Sequence, residues 1–259
     1  MRIVLFASEE GESPLGVPHD RWLLVHLHLA VLGWLTLLIL TVGRTLAPML
    51  ALAPAAPTRR VPLSELGLTG GLWLLLAGLA ADIAPLAAAG ATVIALVLAI
   101  FGHLLVRIAG TRRMELEAPL AHMLAGIAFL LQATLLGFLL LGGVNVARGT
   151  VAYVILLLVG WAAGVTVGYS GKLLSLSAWV WWPPGPRPKQ AALYPRRWWQ
   201  LEVVAFAIGV EVVAVGVLLG SAPTTRAGAA VLCFSAVLAL CGVVREIRVR
   251  SWLLAQSAR

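Results

Sequence analysis

The sequence predicts an all-α, polytopic integral membrane protein of about seven transmembrane helices, and three observations predict it. Apolar residues make up 61% of the 259 and charged residues only 12%, where an ordinary soluble domain carries about 25% charged. With a mean hydropathy of +0.96, the apolar residues fall in blocks of roughly 20 or more, the length that crosses ~30 Å of hydrocarbon. Lys and Arg are concentrated in alternate connections between those blocks, as the positive-inside bias of membrane proteins requires.

The blocks lie at 22–48, 65–82, 86–108, 118–142, 149–171, 199–220 and 226–245. The first follows Arg21 and runs to Pro48. The second ends at Asp82, and Pro85 leaves only a short turn before the third, so one re-entrant hairpin is the competing reading of that pair. A basic turn, Arg107, Arg112 and Arg113, separates the third from the fourth, and Arg148 and Lys172 bracket the fifth. Four prolines in the first seven residues of 182–198 hold that connector extended. Its flanking Trp179, Trp181, Trp182, Trp198 and Trp199 fit an interfacial belt. The whole reads as one membrane domain: an outer tail 1–21, a five-helix part 22–171, a Pro/Trp-rich connector 172–198, a two-helix part 199–245 and a basic tail 246–259.

Fifteen of the 19 Lys and Arg residues fall on one side of such a bundle, leaving Arg2, Arg21, Arg148 and Arg226 on the other. The N-terminus is therefore expected outside and the C-terminus cytoplasmic. The net charge of +8 is a topology signal and an attraction to anionic lipid. Nucleic-acid binding is excluded, because there the charge would form a patch with interleaved aromatics on a soluble fold. The first apolar run is too long for the core of a removable signal peptide, so it is expected to insert as the first span. Cys233 and Cys241 lie in the seventh block with no metal, heme-attachment or disulfide spacing, and read as packing residues. Phosphate-cradling glycine loops, nucleophile elbows and zinc-protease motifs do not occur, and most of the 26 glycines suit close helix approach.

Ionisable side chains inside a span are where chemistry is expected. His26 and His28 stand two residues apart in the outer third of the first block. On an α-helix they point about 200° apart, so they cannot share one metal ion from a regular helix. By depth, at 1.5 Å per residue, they form an outer level, and His103 and His122 in consecutive spans form an inner one. Two imidazoles on neighbouring helices suit a bis-histidine b-type heme; capping or snorkelling near Arg107 and Glu117 is the plainer reading of the inner pair. For the outer pair the plainer reading is a hydrogen bond to a backbone carbonyl or to Asp82, and His19 is a further candidate for an outer metal or proton site. Gln132, Glu202, Glu211 and Asn145 are the other polar groups within or at the ends of the spans. Glu211 is nearest mid-membrane, where a carboxylate is protonated or paired; it is a candidate proton or quinol group, together with Gln132 and Asp82.

The run His26-Leu-His28-Leu-Ala-Val-Leu-Gly33-Trp34-Leu-Thr36, followed by Thr41 and Pro48, resembles the His-x-His span of subunit I of the heme-copper oxidase superfamily, nitric oxide reductases included. It is more similar still to the small membrane proteins related to that subunit. The likeness implies that His26 faces a high-spin heme and His28 a low-spin one. A second segment, Gly160-Trp161, Gly168, Lys172 and Trp179, repeats the spacing of Gly33-Trp34, Thr41, Thr45 and Leu52. The small relatives tend to read Gly-x-x-Tyr-Lys-x-x-Pro-x-x-x-Trp there, and here Gly171 and Ser175 replace the tyrosine and the proline. Opposite His26 and His28 this copy has Tyr153 and Ile155, so it is not expected to hold iron. The further histidines that serve the low-spin heme and copper in the superfamily are not recognisable, so oxygen reduction by this chain alone is not expected.

The expectation is thus a protein of the prokaryotic inner (cytoplasmic) membrane binding one or two b-type hemes through His26, His28, His103 and His122. It would take part in respiratory electron transfer or diatomic-gas handling as the membrane heme subunit of an oxidoreductase, with quinol or neighbouring respiratory subunits as partners. Copper is compatible with the resemblance but has no ligand set. Two other readings stand: a heme-free subunit or assembly factor of a respiratory complex, and a proton-coupled transporter depending on Glu211.

Overall fold

A computed structural model describes residues 18–54, 61–113, 117–180 and 196–257. Every regular element among them is helical: α1 (His19–His28), a π-helical segment π1 (Leu29–Thr36), α2 (Leu37–Ala51), α3 (Val61–Ala81), α4 (Ala84–Thr111), α5 (Ala118–Leu141), α6 (Gly149–Val154), a second π segment π2 (Ile155–Ala163), α7 (Gly164–Val180), α8 (Arg196–Leu219) and α9 (Ala222–Ser257). Because α1, π1 and α2 run on without a break, as do α6, π2 and α7, these elements make seven long helices. All seven are long and apolar enough to cross a membrane. α3 and α4 are two such helices, each long and apolar enough to cross by itself, as the seven-span reading expects. Most of the tryptophan-flanked connector, with Trp181 and Trp182, and residues 1–17 of the N-terminal tail lie outside the described residues.

The chain forms two compact units, Met1–Arg113 with Leu130–Tyr153 and Met114–Phe129 with Val154–Arg259. Each is built on a tight helical hairpin, α3–α4 in the first and α8–α9 in the second. Both hairpins use one device. α3 ends at Asp82 and α8 at Gly220, both left-handed (φ 59° and 66°), a conformation that ends a helix without strain only for glycine and at modest cost for Asp or Asn. The N–H of the next residue closes the turn, Ile83 on the Gly78 carbonyl at 2.8 Å and Ser221 on the Gly216 carbonyl at 2.9 Å. Pro85 and Pro223 then sit in the first turn of the returning helix, where a missing N–H costs nothing.

The correspondence extends down the hairpins at a constant shift of 138 positions. A methyl placed on Gly78 would lie 2.2 Å from the Ala87 nitrogen, and one on Gly216 2.6 Å from the Thr225 nitrogen. Gly90 meets the Leu75 nitrogen in the same way that Gly228 meets that of Val213. Gly71 faces Ile94 as Gly209 faces Leu232. Helix backbones touch at these points, which only glycine permits.

The long helix preceding each hairpin is also duplicated, at a shift of 127. Gly33-Trp34 falls inside π1 and Gly160-Trp161 inside π2. The change of shift from 127 to 138 places eleven extra residues in the connection before α8, where the proline-rich run lies. Two copies of a three-helix motif are thus present, with α5 between them in sequence. In π1 the Thr36 hydroxyl donates to the carbonyl of Val31, five residues back, at 2.8 Å, and so follows the wider winding of the π-helix.

Candidate functional site

In the first unit, His28 closes α1 immediately before π1. Its Nδ1 lies 2.7 Å from the carbonyl of Leu24, one turn earlier. A carbonyl only accepts, so in the neutral ring Nδ1 carries the proton and Nε2 presents its lone pair. That lone pair receives the hydroxyl of Tyr153 at 2.9 Å, with the two rings stacked at 5.8 Å and 30°. Metal-binding histidines have the same tautomer, one nitrogen donating to a carbonyl and the other free to ligate. The tyrosine proton stands where an electrophile would stand.

His26 is exposed on the other side of the helix, as its 200° separation from His28 requires. Asp82, a candidate partner for His26 and His28, instead pairs with Arg21 at 2.5 Å with its side chain 71% exposed. The side chain of His19 lies outside the described residues. On α4, His103 is exposed, and Gln132 is exposed on α5.

The second unit holds a different site. His122, on α5, is completely buried and its Nε2 lies 2.8 Å from Oε2 of Glu202 on α8, itself 2% exposed. The other carboxylate oxygen accepts from the Ser235 hydroxyl of α9 at 3.1 Å. His122 meets Phe206 edge-on at 5.3 Å, and Phe206 meets Phe129 edge-on at 6.4 Å. Nδ1 of His122 has no hydrogen-bond partner. Burial of an ionisable pair is tolerable only with such mutual hydrogen bonding. Near the same end, Lys172 reaches Glu117 at 2.8 Å.

The His122 site exists because α5 approaches the fifth long helix closely. Gly160, Gly164 and Gly168 recur every four residues, so they share one face. A methyl on them would lie 2.7 Å from Phe129, 2.7 Å from Phe206 and 2.5 Å from His122, respectively. Three glycines therefore seat three rings. Further along, between α5 and α8, Glu211 is half-buried in a cleft of about 350 Å³ beside Ala125, Ala128, Phe129 and Ala207.

Sequence reasoning placed His28 and His122 among the candidate ligands but missed their partners Tyr153, Glu202 and Ser235. Tyr153 was legible only as the counterpart of His26, and Glu202 only as a polar residue about as far from the start of its helix as His122 is from the start of α5. The four-residue spacing of Gly160, Gly164 and Gly168 was a readable packing signal. Groups of three or more His, Cys, Asp or Glu able to hold a metal ion do not occur among the described residues. Of the histidines described, His28 has the donor chemistry that an axial ligand needs, an anchored Nδ1–H and an Nε2 lone pair, and that lone pair is taken up by the Tyr153 hydroxyl. His122 fits less well: Nε2 is engaged by a carboxylate, and Nδ1 lies beside the Cβ branch, where a flat macrocycle would strike the helix. Comparison with protein-family models, with curated proteins and with solved structures gives no match.

Proposed function

We propose that the chain is an integral protein of the prokaryotic cytoplasmic membrane, N-terminus outside and C-terminus inside, in which His28 is an axial ligand to a b-type heme serving respiratory electron transfer or diatomic-gas handling. The observation that carries this reading is the His28 tautomer: Nδ1–H is anchored on the Leu24 carbonyl and the Nε2 lone pair faces only the Tyr153 hydroxyl. The resemblance of the His-x-His span to the heme-copper oxidase superfamily supports it, and the distribution of Lys and Arg supports the orientation. Heme bound there would supply one-electron exchange between ferric and ferrous iron. The chain's own part is to hold the imidazole in its ligating tautomer through the Leu24 carbonyl and to keep Tyr153 within reach as a hydrogen-bond donor.

A reduced-minus-oxidised spectrum with a pyridine hemochrome count on the purified protein tests this. His28→Ala is expected to abolish the Soret band and split α/β maxima, while His103→Ala leaves them unchanged. A protein without heme, or a spectrum indifferent to His28→Ala, sinks the proposal.

One observation favours a second reading, proton-coupled transport: the buried His122–Glu202–Ser235 chain shares α5 and α8 with the cleft of Glu211. Proton-driven uptake into vesicles that is lost in Glu211→Gln and Glu202→Gln would establish it in place of the heme reading.

A further inference from the structure

The cleft of about 350 Å³ between α5 and α8 has Ala125, Ala128 and Phe129 of one helix and Ala207, Ile208 and Glu211 of the other in its lining. Small side chains make the room. Ala128 is exposed, Ala125 and Ala207 are half-buried, and Ile208 at the rim is 51% exposed, so the cleft opens sideways between the two helices. Its floor is closed, because Phe129 is buried in the notch at Gly160.

One charged-type group stands in this apolar lining, the Glu211 carboxyl, and no residue of the lining is basic. Glu211 and Phe129 both fall in the middle third of their spans, Arg196–Leu219 and Ala118–Leu141. An acyl chain in the cleft would leave the carboxyl facing hydrocarbon, which is costly for a polar group and most costly for a charged one. Glu211 already has one interaction within the protein, but a carboxylate has two oxygens and about four acceptor sites, so capacity for a ligand remains. The occupant that suits the cleft has an apolar body and brings a hydrogen-bond donor or a positive charge. With one acid and no base in the lining, a cation is the complementary case, because it makes the site neutral.

We propose that the cleft binds a lipophilic monocation, an ammonium group on an apolar body, with Glu211 as its counter-charge, and that the carboxyl carries a proton when the cation is absent. One carboxyl oxygen pair holds a proton or pairs with a cation but not both, so entry of the cation sends the proton to solvent. One positive charge replaces another, and the site is neutral in both states, as a mid-membrane position requires. The other ionisable residues on the surrounding elements are turned elsewhere: His122 and Glu202 face each other, Lys172 faces Glu117, Tyr169 donates to Met123, and Arg226, Cys233 and Cys241 are exposed on α9. The inference rests on the transport reading given second above, for which it names a substrate class, and it does not involve heme.

The probe is benzyltriethylammonium, a quaternary cation with no proton of its own, titrated by calorimetry into the full-length protein in detergent, in two buffers of different protonation enthalpy. Saturable binding with net release of a proton is expected. Glu211→Gln is expected to weaken binding by about tenfold or more and to end the proton release. Ala128→Leu, which fills the cleft from an exposed position and leaves the carboxyl in place, is expected to weaken binding too, with thermal unfolding as the check that each variant is folded. Binding that is indifferent to both changes, or that releases no proton, overturns the proposal. So does equal affinity for benzyl alcohol, which makes the site one for neutral hydroxyl compounds. Proton-driven uptake of another substrate without binding of the probe keeps the transport reading and overturns this inference; binding without any uptake supports the site and removes the transport reading.

Discussion

The first and fifth long helices carry the same Gly-Trp pair at the same point of a π segment, yet Trp34 is among the most exposed large side chains and Trp161 is among the most buried. Local sequence sets the backbone in both cases, since a glycine and the wider π winding recur together. Burial is set by what lies across from the tryptophan, Gly126 of α5 in one case and an open cleft in the other. Equivalent local sequence therefore does not imply an equivalent energetic role. The fifth helix works as a packing core whose glycines seat rings, and the first as a surface that carries His28 at one end and a groove at its middle.

The comparison is broken most severely at Gly168, whose added methyl would lie 2.5 Å from His122 Cβ. Gly168→Leu is expected to prevent folding of the second unit, above the ~1–3 kcal/mol of ordinary overpacking, because helix positions must shift. Thr41→Leu, at the corresponding exposed position of the first helix, is expected to leave thermal unfolding in detergent unchanged.

Trp161→Ala comes next, at about 3–5 kcal/mol for a fully buried aromatic, against within ~0.5 kcal/mol for the exposed Trp34→Ala in the isolated protein. Equal losses in denaturant titrations would remove the distinction between the two copies. Glu202→Leu is expected to cost about 3 kcal/mol by leaving the His122 nitrogen buried and unpaired. Combining it with His122→Leu is expected to recover much of that loss, because no orphaned polar group then remains.

Tyr153→Phe removes the single donor to Nε2 of His28, a half-buried group, and is expected to cost about 1 kcal/mol. The same change sharpens the heme proposal, because removing a competing hydroxyl is expected to tighten heme binding in a hemin titration. The smallest effect is expected at Arg21–Asp82: an exposed pair is worth about 0.2–1 kcal/mol, so Asp82→Asn is expected to shift the unfolding midpoint slightly, and less at high salt.

Much of this fold was legible because apolar block length and charge alternation are properties of the chain itself. All seven blocks correspond to long helices, within a few residues at most ends. The hairpin alternative for the second and third blocks arose from Asp82 and Pro85, which do mark a turn; the left-handed Asp82 and the early Pro85 make it tight enough to join two complete helices. The repeat was partly readable in Gly-Trp, but the eleven-residue change of shift hid its larger part, the recurrence of Gly71, Gly78 and Gly90 as Gly209, Gly216 and Gly228.

The candidate site was half legible. Histidine in an apolar run is conspicuous, so His28 and His122 stood out, and the separation of His26 from His28 followed from helix geometry. Their partners lie 125 and 80 residues away, and no periodicity links positions that far apart. By itself the sequence determined where helices run, where they turn and which side chains are expensive to bury, because these depend on local sterics and on hydrophobicity per residue. Only the tertiary structure decided that His28 meets Tyr153, that His122 meets Glu202, and that Trp161 is covered while Trp34 stays exposed, because each outcome depends on which helix packs opposite.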